Sequence, residues 1–214
     1  MLKTFLFFFV ILLCLSCGKS GGGGGNSDAK SPTGDSIILD EISESTPVPS
    51  AAFNFEVNVK LDNFDPEQED KILVAADLIK KVVGSEEFKK GILNHTYNGK
   101  KTFVDNGGQS NAEIYKSIIE GSEKLRPVTD NEMDLELEVF HRSDNTVGYT
   151  FPKAIKVWMN SKFLDRNSPA EVTTNMMHEW LHKLGYGHAY AKTANRKYSV
   201  PYAIGYLMAK LAKK

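Results

Sequence analysis

The eleven residues His178-Glu179-Trp180-Leu181-His182-Lys183-Leu184-Gly185-Tyr186-Gly187-His188 constrain this chain more than any other stretch of it. On a helix, residues four apart lie about 40° apart around the axis and about 6 Å along it. His178 and His182 can therefore place two imidazoles on one metal ion. Glu179 sits about 100° around the helix from His178, off the ligand line but beside it, and reaches a metal-bound water more easily than the metal. Gly185 can take the left-handed conformation that ends helices, so the chain can turn sharply there. His188 then returns as a third ligand. Three protein ligands leave a fourth position for water, the pattern of a catalytic zinc site. A helix that merely carries two surface histidines does not account for Gly185 and His188 at these offsets.

The downstream chain narrows the ligand set. No Asp or Glu follows Glu179, and His188 is the only histidine after His182. A third ligand supplied from downstream is almost forced to be His188. Upstream, Ser168-Pro169-Ala170-Glu171 forms a capping box with proline at the first helical position. The predicted helix runs from about Pro169 to Leu184. Val172, Met176, Met177, Trp180, Leu181 and Leu184 fall on an apolar arc facing away from the two histidines. One face packs on a core while the other presents ligands to a cleft, and the Met and Trp residues read as core rather than substrate contacts.

The chain has 214 residues. Its N-terminal part does not read as globular. Lys3 precedes an apolar run from Phe5 to Leu15, a signal-peptide core too short to span a bilayer. Leu13-Cys14-Leu15-Ser16-Cys17-Gly18 resembles the lipobox of bacterial lipoproteins, with cleavage before Cys17 and lipid on its sulfur. Cys14 stands three before the cleavage point in place of the usual Leu, and an ordinary signal peptide cleaved nearby is the alternative. Gly18 to Ser50 is low in complexity and reads as a flexible tether. The expected organisation is a signal peptide over 1–16, a tether over 17–52 and one domain over 53–214.

Cys14 and Cys17 are the only cysteines. With Cys14 removed and Cys17 acylated, the domain has no disulfide, no thiolate zinc site and no cysteine nucleophile. Its stability must come from the core and any bound metal. From Lys183 onward there are seven basic residues and no acidic ones, leaving 19 basic against 27 acidic before them. That basic segment is either a solvated face or an attraction for acidic substrates or a membrane surface. Nothing points to nucleic-acid recognition.

Along the domain, alternation from Phe53 to Leu61 predicts a strand. Asp65-Pro66 opens a helix to about Val83, followed by a short helix from about Ser85 to Leu93. Thr96 to Asp105 reads as a hairpin or strand around Asn98-Gly99, and Asn111 to Ser122 as a helix. Met133, Leu135, Leu137 and Val139 alternate as a strand. Two more strands are expected over 145–151 and 154–160. After the metal helix come a loop through Arg196 and a terminal helix from about Tyr202. His95 and His141 read as ordinary surface or half-buried histidines.

The eleven-residue motif, and the order of elements from Phe53 to Lys214, resemble the metzincin clan of zinc peptidases. The resemblance implies an α+β fold: a mixed twisted sheet with a backing helix, an active-site helix and a C-terminal helix. It implies an edge strand over 145–151 that pairs with extended substrate. It also implies zinc on His178, His182 and His188, with Glu179 as general base. The chain departs from the clan at the turn beneath the metal. No methionine occurs in Tyr198-Ser199-Val200-Pro201-Tyr202, so either Met208 or Val200-Pro201 supplies the apolar floor. Tyr202 is either the tyrosine that helps hold the oxyanion or a packing residue. The expected activity is zinc-dependent hydrolysis of peptide bonds in extended polypeptide. The alternatives are a surface-anchored zinc-binding module without proteolysis and an amidase acting on cell-wall peptide. The expected partners are a polypeptide substrate and, through lipid on Cys17, a membrane. The protein is expected to act as a monomer in the cell envelope, at the outer membrane or cell surface.

Overall fold

Local signals set most element boundaries. The computed structural model describes residues 54–214. The signal peptide, the lipid-bearing cysteine, the tether and Phe53 lie outside the described residues. Among those described, β1 (Glu56–Asp62) leads into α1 (Pro66–Val83) and α2 (Glu86–Leu93), then α3 (Asn111–Glu120). Three strands follow: β2 (Glu132–Phe140), β3 (Gly148–Thr150) and β4 (Lys156–Asn160). The chain closes with α4 (Ser161–Arg166), α5 (Pro169–Lys183), a single 3-10 turn at Arg196–Tyr198 and α6 (Val200–Ala212). The fold is α+β.

Asp65 caps α1 by accepting from the Gln68 N–H at 2.9 Å, with Pro66 at the first helical position. Ser110 and Glu113 form the same reciprocal cap on α3. At α5, Glu171 reaches back to both the backbone N–H and the hydroxyl of Ser168, at 3.0 Å each.

The sheet is mixed, in the order β1-β2-β4-β3. β1, β2 and β4 run parallel, and β3 lies antiparallel to β4 at the edge. The period-2 pattern of β2 puts Met133, Leu135 and Leu137 into the core, in line with Val57, Val59 and Leu61 on β1 and with Val157 and Met159 on β4. Against this face pack the apolar sides of α1 (Ile72, Ala75, Ile79) and α5 (Val172, Met176, Trp180), all fully buried. Trp180 meets Phe55 edge to face at 6.0 Å and donates its indole N–H to buried Glu123. Glu123 in turn accepts from the backbone N–H of Asp134, tying α5 to β2. α6 lies along the other flank of α5.

Three details differ from the sequence reading. Residues 96–105 form only a one-bridge hairpin and no strand: Tyr97 and Lys100 exchange backbone hydrogen bonds across Asn98-Gly99, both at positive φ, and Val104 makes one bridge to Ser199. The segment after β4 forms α4, capped by buried Asn160, whose side chain accepts from Lys162 and donates to the carbonyls of Arg142 and Thr146. Asn160 thereby fastens the loop before β3 to the end of β4. The last helix starts at Val200 rather than Tyr202. No described helix is long and apolar enough to cross a membrane.

Candidate metal centre

α5 ends as its residues dictate. Leu184 is the last helical cap, and Gly185 takes φ +97°. The Gly185 N–H donates to His182 O and the Tyr186 N–H to Leu181 O, each at 3.1 Å, the paired bonds of a Schellman motif. The turn buries Tyr186, whose hydroxyl bonds to Ser117 at 2.7 Å and donates to Gln109 at 2.6 Å. The chain then brings His188 back over α5.

The three predicted ligands converge. His178 Nε2 lies 3.2 Å from His188 Nε2 and 3.3 Å from His182 Nε2. The opposite side of each ring faces a backbone carbonyl. His182 Nδ1 meets Tyr186 O at 2.7 Å and His188 Nδ1 meets Ala189 O at 3.1 Å. The His178 ring bonds to the backbone of Pro201. A carbonyl accepts only, so each ring keeps its proton there and turns an Nε2 lone pair inward. Three lone pairs pointed at one place repel unless a cation lies between them. Burial pushes the His178 pKa down to about 3 and that of His182 down to about 4, and burial also lowers that of His188. The rings are thus held neutral, as metal ligation requires. The cluster can hold a metal ion, and three imidazole nitrogens suit zinc among other divalent ions.

Glu179 is 5% exposed and lies on α5 between the ligands and the sheet edge. Its carboxylate accepts from Asn175 Nδ2 at 3.4 Å. Burial raises its pKa to about 7, opposed by the nearby Lys183 ammonium and by Asn175. A carboxylate poised near neutrality is suited to taking and returning a proton. Asn175 touches β3 closely: a Cβ on Gly148 would stand 2.7 Å from its Oδ1.

Tyr202, on the first turn of α6, packs its ring 4.5 Å from that of His178 and 4.8 Å from that of His188. The Arg196 guanidinium lies over the Tyr202 ring, 4.6 Å from its centroid. Burial raises the Tyr202 pKa, so its hydroxyl stays protonated and able to donate. Of the two candidates for the floor, the Val200-Pro201 turn lies against His178 through the Pro201 backbone. Met208 is buried two turns further along α6. Gly205 lets α6 approach α5 closely here, since a Cβ would stand a tight 3.1 Å from Thr174 O.

His95 and His141 stay outside the cluster. His95 stacks on Phe103 at 4.0 Å, and exposed His141 bonds to Ser161 at 2.8 Å.

A cleft of about 980 Å³ opens over the histidines. β3 and the loop before it form one wall. Tyr202 and Arg196 stand on the other. Buried Lys183 ties the first wall to α5, donating to Thr150 Oγ1 and to the carbonyls of Ala154 and Lys156. The roles of Asn175, Lys183 and Arg196 escape the sequence reading. Asn175 alone carries a signal, standing one helical turn before Glu179. No protein-family model matches the chain, and no curated protein matches it.

Proposed function

We propose that this protein is a metzincin-like zinc endopeptidase that hydrolyses extended polypeptide. The observation carrying this reading is three imidazole nitrogens converging within 3.3 Å contacts beside a buried glutamate, in the floor of an open cleft. His178, His182 and His188 are the zinc ligands. A zinc ion held there would supply Lewis-acid polarisation of water and of a substrate carbonyl. The chain's own residues do the rest. Glu179 accepts the proton of the attacking water and delivers it to the leaving amine. The Tyr202 hydroxyl donates to the developing oxyanion. β3, a sheet edge along the cleft, offers unpaired backbone groups to an extended peptide. A binding module that merely retained zinc has no use for a buried carboxylate beside the ligands.

The test is elemental analysis with digestion of denatured casein. The protein is expected to carry about one zinc per chain and to cut casein. His182→Ala is expected to lose both properties. A zinc-loaded protein that cleaves no peptide supports the binding module instead, and one that acts only on cell-wall peptide supports the amidase.

The sequence at Ser16-Cys17 supports lipid anchoring in a bacterial envelope. Cys17→Ser is expected to abolish palmitate labelling and release the protein from membranes. Undiminished labelling places the anchor elsewhere.

A further inference from the structure

The cleft is lined by four cationic side chains, Lys124, Lys192, Arg196 and Lys213, against two carboxylates, Glu171 and Glu179. One of the four is neutralised within the chain: Lys213 pairs with Glu171 at 3.1 Å. Among the described residues no carboxylate lies within ion-pair distance of Lys124, Lys192 or Arg196. Glu179 is engaged with Asn175 and the zinc chemistry. The basic C-terminal segment therefore brings part of its unbalanced charge into the cleft.

Arg196 stands out among the three. It is held over the Tyr202 ring, one ring away from His178 and His188. Its Nε is buried and makes no hydrogen bond, its one contact to a backbone carbonyl, from Nη1 to Tyr190 O, is long at 3.4 Å, and its one side-chain partner is the Tyr202 hydroxyl. A guanidinium partly withdrawn from water with donors unused is costly to keep unless an anion completes it. Its planar fork matches a carboxylate with two parallel bonds. An extended peptide advances about 3.3 Å per residue. A carboxylate reaching Arg196 must therefore belong to a residue within one or two positions of the bond lying over the histidines.

We propose that the cleft selects acidic polypeptide, with Arg196 as the specificity residue that binds an Asp or Glu side chain adjacent to the scissile bond. Lys124 and Lys192 draw the acidic segment in by long-range attraction rather than by fixed contacts. This inference rests on the peptidase reading and adds the substrate class to it.

The experiment uses peptide libraries matched except at the positions flanking the cleaved bond, which hold Asp in one and the isosteric Asn in the other. Wild type is expected to favour the Asp library in kcat/KM by about tenfold or more, the worth of a hydrogen-bonded charge pair. Arg196→Met is expected to bring the ratio near one, and Arg196→Lys to keep part of it. Arg196→Glu is expected to turn the preference toward the Asn library. A wild-type ratio near one, or a ratio that survives in Arg196→Met, overturns the proposal. Binding of the same libraries to Glu179→Gln, read by calorimetry, reports the preference without turnover. If wild type cleaves neither library yet Glu179→Gln binds the Asp library more tightly, the peptidase reading fails and acid selection stands. Equal binding of the two libraries sinks acid selection whatever the turnover.

Discussion

The outer face of the sheet and the cleft treat charge in opposite ways. On the outer face Lys156 bonds to Glu138 at 2.6 Å and Asp62 at 3.1 Å. Arg126 lies against Asp134 and Glu136, and Lys60 stands 3.9 Å from Glu136. These charges answer one another across β1, β2 and β4, in partial contact with water. In the cleft, Glu179 is buried with one amide donor, and among the described residues no carboxylate pairs with Arg196, Lys124 or Lys192. Paired surface charges contribute little to stability. Unpaired charges around a concavity lower it, and their complement lies beyond the described residues. The difference separates residues that serve the fold from residues that serve a ligand, and substitutions on each side test it.

The largest expected effect lies at Glu179. Glu179→Gln keeps size and hydrogen bonding but cannot take a proton. It is expected to retain zinc and to cleave denatured protein at least about a hundredfold more slowly. The same substitution should stabilise the metal-free protein above neutral pH. The folded pKa of about 7 stands above the ordinary 4.5. Between these values the folded state holds a proton that the unfolded state lacks, so stability falls as pH rises through that window. Glu179→Gln has no such slope. After chelation its stability is expected to match wild type near pH 4 and to exceed it by about 1–3 kcal/mol at pH 8. The pKa values of His178 and His182, lowered by burial, produce an opposite slope, with stability lost as pH falls below about 6.5. Both proteins share it, so it cancels in the difference. Melting curves that stay parallel from pH 4 to pH 8 would show that Glu179 is not strained by its burial.

The next effect lies at Tyr202. Removing its hydroxyl in Tyr202→Phe leaves the ring packed on His178 and His188. An oxyanion donor lost this way should lower kcat by about a hundredfold, with KM and melting temperature almost unmoved. A fall in melting temperature large enough to explain the lost activity assigns Tyr202 to packing instead.

How much of this could be read along the chain depends on where each interaction is closed. α5 was legible because its signals are local: the Ser168–Glu171 box, the apolar arc through Val172, Met176 and Trp180, and the Gly185 stop. The histidine cluster was legible for the same reason, since two of its members lie on one helix and the third follows a glycine turn. β2 was legible because Met133, Leu135 and Leu137 alternate against one core. α4 was not, because six residues are too few to show a helical period, and its cap Asn160 reads equally as the end of a strand. At residues 96–105 only the turn was legible, because Asn98-Gly99 sets a turn whether or not strands extend from it. Arg196 and Lys183 were opaque for a different reason. A lysine buried among the carbonyls of Ala154 and Lys156, or an arginine lacking a partner, is defined by segments distant in sequence.

The smallest effect should appear on the outer face. Arg126 pairs with Asp134 and Glu136 while about a third of its side chain remains exposed, at 37%. Arg126→Met keeps most of the apolar stem and removes the charge. Partly solvated pairs of this kind are worth roughly 0–1 kcal/mol each, and less in high salt. The substitution is therefore expected to lower stability by no more than about 1 kcal/mol, a melting shift of roughly 2–4 °C for a domain of this size. Casein cleavage should be unchanged. Adding Glu136→Gln to Arg126→Met isolates the pair from other consequences of either substitution. A coupling energy within a few tenths of zero in 1 M salt fits a face whose charges only solubilise and register the strands. A loss of activity in Arg126→Met at unchanged stability would break the comparison. It would mean that this face, which sits behind the wall fixed by Lys183, communicates with the cleft after all.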